Sequence, residues 1–172
     1  MWKQRSDPGG LAAVSSFCMA QAGKFERLWI DTQEWALERL DGIRSRAMAS
    51  HLATGLRGER AALFELRRRG YVVVAQRWTS AKMRGDVDLI AWDGDWLCFV
   101  EVKTRSARGI TPAETAVDDD KRRMLRSLAR IYLRTFPKAE FRTIPVRFDV
   151  VSVYPGEGVT EFDFFPGAFG WR

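Results

Sequence analysis

Histidine is nearly absent from this chain of 172 residues, with His51 the only one. A His-based triad and a phosphohydrolase dyad are therefore poorly supported. Two cysteines, Cys18 and Cys98, are too few for a disulfide framework or a Cys/His zinc site. Cys98 reads instead as a small apolar packing residue. No Walker or dinucleotide glycine loop occurs, and no apolar run approaches the roughly 18 residues of a membrane span. Repeats and low-complexity tracts are missing too. What the chain has is charge: 28 Lys and Arg against 22 Asp and Glu give a net +6, with a pI near 9.7. That balance suits a polyanionic partner, although many basic proteins never meet nucleic acid. With 46% apolar residues, the length supports one well-cored domain with an appendage.

The chemistry concentrates in Gly85 to Lys103, which reads GDVDLIAWDGDWLCFVEVK. Asp86 to Trp92 and Trp96 to Lys103 are rich in β-branched and aromatic residues, and Asp93-Gly94-Asp95 between them predicts the turn of a β-hairpin. If Gly94-Asp95 forms a type II′ turn, Asp93 pairs with Trp96, Asp88 lies opposite Glu101, and Asp86 lies opposite Lys103. A type I′ turn at Asp93-Gly94 slips the pairing by two but leaves all four charged residues on one face. Opposed Cβ atoms are about 5 Å apart, so Asp88 and Glu101 can share one hard divalent cation and repel each other without it. The alternative is an ordinary charged strand face on which Lys103 neutralises its neighbours. Two features weigh against it. Glu101 and Lys103 interrupt the apolar run Leu97-Cys98-Phe99-Val100, where a charge is costly unless paired or coordinated. The run Leu89-Ile90-Ala91-Trp92 does not alternate, as expected of a strand buried on both faces.

The remaining chain supplies a frame for this hairpin. Residues 1–23 read as a disordered terminus; Ala20-Gln21-Ala22 mimics a signal-peptide site, but Ser15, Ser16 and Asp7-Pro8-Gly9-Gly10 weaken that reading. Residues 24–52 read as a helical extension, with an amphipathic helix over Lys24 to Ala49 whose stripe includes Phe25, Leu28, Trp29, Trp35 and Leu40. The domain proper is expected over 53–172. It opens with a helix from Arg57 to Arg69 stopped by Gly70, on which Glu59 shares a face with Ala62, Leu63 and Leu66. A strand over Tyr71 to Trp78 and a polar loop over Thr79 to Arg84 follow. After the hairpin come a basic loop over Thr104 to Gly109 and a capping box at Thr111-Pro112-Ala113-Glu114. A helix capped by Asp118 then runs to about Thr135 and buries Leu125, Leu128, Ala129 and Tyr132. Arg123, Arg126, Arg130 and Arg134 stripe its other face, either toward phosphates or merely toward solvent. Strands over Ile144 to Tyr154 and Val159 to Phe165 complete an α/β order, which implies a mixed central β-sheet flanked by helices.

The D-x-(~12)-E-x-K pattern of Asp88, Glu101 and Lys103 resembles the PD-(D/E)xK nuclease signature. More narrowly, the chain resembles the YraN family of predicted bacterial endonucleases, which is similar to archaeal Holliday-junction resolvases. The matching pieces are Gly58-Glu59, Gly70-Tyr71, Gly85 to Ile90, Phe99 to Lys103, Lys121 and Arg147 to Val151, spread over Leu56 to Phe169. The N-terminal segment before Met48 lies outside the match, as a lineage-specific extension or the product of an upstream start. Three positions depart from the family pattern. Val87 replaces a proline, Asp86 a Glu, and Arg77 an Asn, the last expected to touch only a loop contact.

The resemblance implies a restriction-endonuclease-like fold and a metal-dependent endonuclease acting on DNA, branched or structured DNA included. It assigns catalysis to Glu59, Asp88, Glu101 and Lys103. Asp88 and Glu101, with the Val102 carbonyl, would hold Mg²⁺ or Mn²⁺, while Glu59 would serve a second metal or its water shell. Lys103 is assigned to orienting the water and stabilising the phosphorane. Lys82, Arg84, Arg105, Arg108 and Lys121 are the expected nucleic-acid contacts. The expected partner is nucleic acid, DNA ahead of RNA, with no membrane, a cytoplasmic location, and a homodimer left open. A non-catalytic nucleic-acid-binding or scaffold protein that keeps the fold is the competing class.

Overall fold

The computed structural model describes residues 30–37, 50–106, 117–138 and 142–172. Within them the order is α1 (30–37), α2 (Ser50–Arg68), β1 (Val72–Ser80), β2 (Met83–Asp93), β3 (Trp96–Thr104), α3 (Asp119–Leu133), β4 (Val146–Pro155) and β5 (Thr160–Phe169). The five strands lie in sequence order across one sheet; β3 and β4 pair parallel and every other neighbouring pair is antiparallel. Tight turns suffice for antiparallel neighbours, whereas the parallel pair needs the crossover that α3 supplies. The mixed sheet flanked by helices is the α/β arrangement expected.

The central hairpin takes the first of the two registers. Asp93 pairs with Trp96, and Leu89 with Val100. Gly94 has φ +57° while Asp95 stays outside the left-handed region, as a type II′ turn at Gly94-Asp95 requires. Val87 through Ala91 are all buried, which explains the missing alternation.

Each face of the sheet carries its own core. On one side Leu125, Leu128, Ala129 and Leu133 of α3 pack on Ile90, Leu97, Phe99, Phe148 and Val150. Tyr132 stands edge-on to Trp78 and Phe99, with ring centroids at 5.2 and 5.8 Å. On the other side Ala62, Leu63, Phe64 and Leu66 of α2 pack on Leu89, Cys98, Val100, Val102 and Val151. Cys98 is a free, fully buried thiol, pushed up to about 12 chiefly by that burial, so it packs as an apolar residue. Ile30 of α1 joins this second core, while polar contacts tie α1 to α2: Arg68 with Asp31 at 2.8 Å and with Glu34, and Arg67 with Gln33 at 3.0 Å.

Several boundaries differ from expectation. Helix α2 starts at Ser50 rather than Arg57, because Gly55 and Gly58 lie inside it instead of ending it. The span Thr79 to Arg84 is no loop: only Ala81 and Lys82 turn, and the flanking residues extend β1 and β2. Strand β5 runs on to Phe169. It passes Pro166 at a sheet edge and then a bulge where the Gly167 N–H, at φ +64°, donates to Asp149 Oδ1 at 2.8 Å. In α1, Trp35 and Leu37 face solvent, so the apolar stripe is only partly used for packing. The expected disordered terminus, most of the extension helix, the capping box at Thr111 to Glu114, and Arg108 lie outside the described residues.

Away from the hairpin's charged end, Arg147 ties β4 to β2 and to the segment that leads into β1. Its guanidinium donates to Asp149, to Asp93 Oδ2 at 2.7 Å and to the Tyr71 hydroxyl at 2.9 Å. Burial opposes its charge, yet the bonds to Asp149 and Asp93 outweigh that and hold the guanidinium above its ordinary value.

Candidate active site

Continued past Leu89 and Val100, the hairpin register sets Asp88 opposite Glu101, but the backbone ladder stops there. The Val102 N–H donates to Asp88 Oδ2 at 2.7 Å instead of to a β2 carbonyl. A side-chain carboxylate has taken the place of a ladder acceptor, and the strands part. Beyond this point β2 stays with β1, pairing Val87 with Trp78 and Asp86 with Thr79. Asp86 is therefore not paired with Lys103 as the uninterrupted register predicts.

The parting places two carboxylates in the sheet interior. Asp88 is 8% exposed and Glu101 3%. Burial, with Glu101 second, pushes the Asp88 carboxyl up to about 7, against the pull of the Val102 N–H and Lys121. Glu101 is held between two ammonium groups, with Oε1 at 2.9 Å from Lys103 Nζ and Oε2 at 3.0 Å from Lys121 Nζ. The contact to Lys121 lacks hydrogen-bond alignment, which leaves Oε2 a buried acceptor without a hydrogen bond. Lys121 stands in the first turn of α3, where its own N–H donates to the Asp118 carboxylate at 2.7 Å. Burial works against the Lys121 charge, but Glu101 prevails and raises the amine above its ordinary value. Lys121 thus stands at the carboxylate centre.

Glu59 approaches from α2. Its placement depends on Gly58, which is buried against the end of β3; a methyl there would overlap the Thr104 hydroxyl, so only glycine lets the helix come this close. Burial raises the Glu59 carboxyl, Arg77 opposes the rise, and Asp86 and Glu101 add to it. Arg77 is a site residue that sequence reasoning missed. It lies in β1, with Nε 3.8 Å from both Glu59 Oε2 and Asp86 Oδ2. The only signal in the sequence was the arginine itself, where the resembling family has Asn.

The outlying basic residues divide. Lys82 is exposed at the tip of the β1–β2 turn, Arg84 is exposed in β2, and Arg105 is half-buried with its N–H on the Val153 carbonyl at 2.9 Å. The arginine stripe of α3 is largely occupied by the chain's own C-terminus. Arg126 donates to the carbonyls of Gly170 and Arg172 at 2.7 and 2.9 Å, and Arg130 lies over the Trp171 ring. Arg123 pairs with Asp120.

Among the described residues no group of three or more His, Cys, Asp or Glu side chains is gathered to hold a metal ion. The buried pair Asp88 and Glu101 nevertheless offers an all-oxygen donor set, in which Glu101 Oε2 is paired with Lys121 by charge alone. That chemistry fits a hard divalent cation completed by a backbone carbonyl and water, as Mg²⁺ sites commonly are.

A mixed sheet flanked by helices, with buried carboxylates where two strands part, places the chain in the α/β class. A family model described as Uncharacterised protein family UPF0102 matches residues 58–153, from Gly58 beside Glu59 through β4. The chain belongs to that family, the endonuclease-like YraN group. It is 45% identical over 119 residues to the UPF0102 protein of Koribacter versatilis, covering 69% of this chain and 80% of that one. Over 112 residues it is 46% identical to the UPF0102 protein of Rhodococcus opacus, covering 64% and 90%. The UPF0102 protein of Solibacter usitatus is 43% identical over 112 residues, covering 65% and 82%. Among the described residues no helix is long and apolar enough to cross a membrane.

Proposed function

We propose that this protein is a divalent-metal-dependent endonuclease that hydrolyses phosphodiester bonds in DNA, branched or structured DNA included. The observation that carries the reading is the buried pair itself. Asp88 and Glu101 stand side by side in an apolar sheet at 8% and 3% exposure, where burial first and Glu101 second raise the Asp88 carboxyl. Like charges so placed oppose folding unless a cation or a proton offsets them. Strained, displaced carboxyl groups in one cluster mark a site kept for chemistry rather than stability.

Asp88, Glu101 and the Val102 carbonyl would hold Mg²⁺ or Mn²⁺. Bound there, the ion supplies an acidified water and neutralises charge on the scissile phosphate. Lys103 orients that water and stabilises the charge developing on the phosphorane. Lys121 faces Glu101 Oε2 from the α3 side and would give up that oxygen to the ion, and Glu59 completes the acidic cluster from α2.

One observation favours the competing reading of a non-catalytic nucleic-acid-binding or scaffold protein. Lys103, Lys121 and Arg77 bring three cations within ion-pair range of the carboxylates. Cleavage of labelled single-stranded, duplex and four-way-junction DNA with Mg²⁺, Mn²⁺ or EDTA separates the two. Metal-dependent cutting lost in Glu101→Gln is the expected result. Binding without cutting on every substrate, weakened by monovalent salt and indifferent to the divalent ion, would establish the alternative.

A further inference from the structure

Among the described residues Arg77 is the one non-glycine residue with a left-handed backbone, at φ +44°, and it lies inside strand β1. Asn and Asp offset that conformation with local hydrogen bonds; arginine has no such means. Its side chain points to what holds it there. The guanidinium sits at equal distance, 3.8 Å, from a carboxylate oxygen of Glu59 on one element and of Asp86 on another. That is ion-pair range and beyond hydrogen-bond range, so among the described residues the donor fork is not consumed by either acid. At 52% exposure the side chain also reaches solvent.

The charge balance gives this position a consequence. Glu59, Asp86, Asp88 and Glu101 face Arg77, Lys103 and Lys121, a formal charge of −1. One divalent ion turns the cluster positive. A second would meet that charge and, between Glu59 and Asp86, the guanidinium itself. We infer that Arg77 occupies the place of a second cation between Glu59 and Asp86, so that the centre takes a single divalent ion and turns the guanidinium fork toward a substrate phosphate. The inference rests on the proposed metal site at Asp88 and Glu101. A planar fork with several donors matches the paired oxygens of a phosphodiester better than a point charge does. It also departs from the expectation that Glu59 serves a second metal.

The test counts ions rather than turnover. The purified full chain is titrated with Mn²⁺, free ion being read by electron paramagnetic resonance, for wild type, Arg77→Asn, Arg77→Gly and Arg77→Lys. Asn and Gly accept the left-handed backbone, so both variants are expected to keep the wild-type circular dichroism spectrum. The inference expects one Mn²⁺ per chain in wild type and Arg77→Lys, and two in Arg77→Asn and Arg77→Gly. It further expects the salt slope of duplex DNA binding to fall by about 0.9 in the Asn and Gly variants. Two ions in wild type, one in both uncharged variants, or two in Arg77→Lys would each overturn it while leaving the metal site standing. No bound ion in any of the four proteins would sink the metal site and the inference together.

Discussion

Replacing Asp88 with Asn should make the metal-free protein more stable at neutral to alkaline pH. The folded chain raises this carboxyl from its ordinary 3.8 to about 7, first by burial and then by Glu101. Between about pH 4 and pH 7 the folded state therefore keeps a proton that the unfolded chain has released. Its contribution to stability is complete below about pH 4, falls as pH rises through that window, and is gone above about pH 7. Some three units at 1.36 kcal/mol each set an upper limit of about 4 kcal/mol. Asn keeps the size of the side chain and an oxygen for the Val102 N–H, now bonded at 2.7 Å, while removing the charge that opposes Glu101. At about pH 8 in EDTA the variant should gain roughly 2 to 4 kcal/mol, or about 5 to 12 °C in Tm for a chain of this size.

Urea unfolding across the pH range reads this directly, and the variant minus wild-type difference cancels the titrating groups that do not interact with Asp88, leaving Asp88 and its neighbours Glu101, Lys121 and Glu59. The two proteins should converge near about pH 4 and separate as pH rises. Divalent ion should then reverse the order. Mn²⁺ at a hundred times its Kd adds about 2.7 kcal/mol to wild type and little to a variant lacking the anionic ligand. Parallel pH profiles, or an Asp88→Asn protein destabilised at alkaline pH in EDTA, would refute the reasoning that Asp88 is a strained, cation-seeking acid.

Gly58→Ala should lower stability by about 1 to 3 kcal/mol, because the new methyl meets Thr104 across the α2–β3 approach. Adding Thr104→Ala should recover much of that loss in urea unfolding, a coupling that two independent sites would not show. Asp149→Ala strips the half-buried Arg147 of the carboxylate that accepts most of its hydrogen bonds and should cost about 3 kcal/mol or more, with Mn²⁺ binding unchanged. Arg126→Ala should free the C-terminal residues to carboxypeptidase and leave the salt slope of DNA binding unaltered, since its donors serve the Gly170 and Arg172 carbonyls. A slope reduced by about 0.9 would return that arginine to the phosphate-facing role.

What the sequence made legible was local or periodic. Gly94 chose the turn, the turn chose the register, and period two then placed Asp88 across from Glu101 and Lys103 two residues along β3. The Asp118 cap and the apolar face of α3 were equally local. The failures needed contacts between distant segments. The sequence pattern starts the helix at Arg57 instead of Ser50, and nothing in it shows Thr104 lying against Gly58. The ladder's end at Asp88 depends on a side chain replacing a backbone acceptor, which breaks the period that predicted Asp86 opposite Lys103. The sequence leaves Arg126 facing either phosphates or solvent, and neither reading foresees the C-terminus folding back onto it. Lys121 and Arg77 each reach acids carried on other elements, Glu101 on β3 and Glu59 on α2, so no spacing rule within one element could assign them.

The central claim is that Asp88 and Glu101 form a cation site. Its most direct test is anomalous diffraction from crystals of the protein soaked with Mn²⁺. The account predicts an anomalous peak between the two carboxylates at oxygen-ligand distances, about 2.0 to 2.3 Å for a small hard cation, with the Lys121 ammonium displaced from Glu101 Oε2. A soaked crystal with no peak there, and with Lys103 and Lys121 still closed on Glu101, would contradict it.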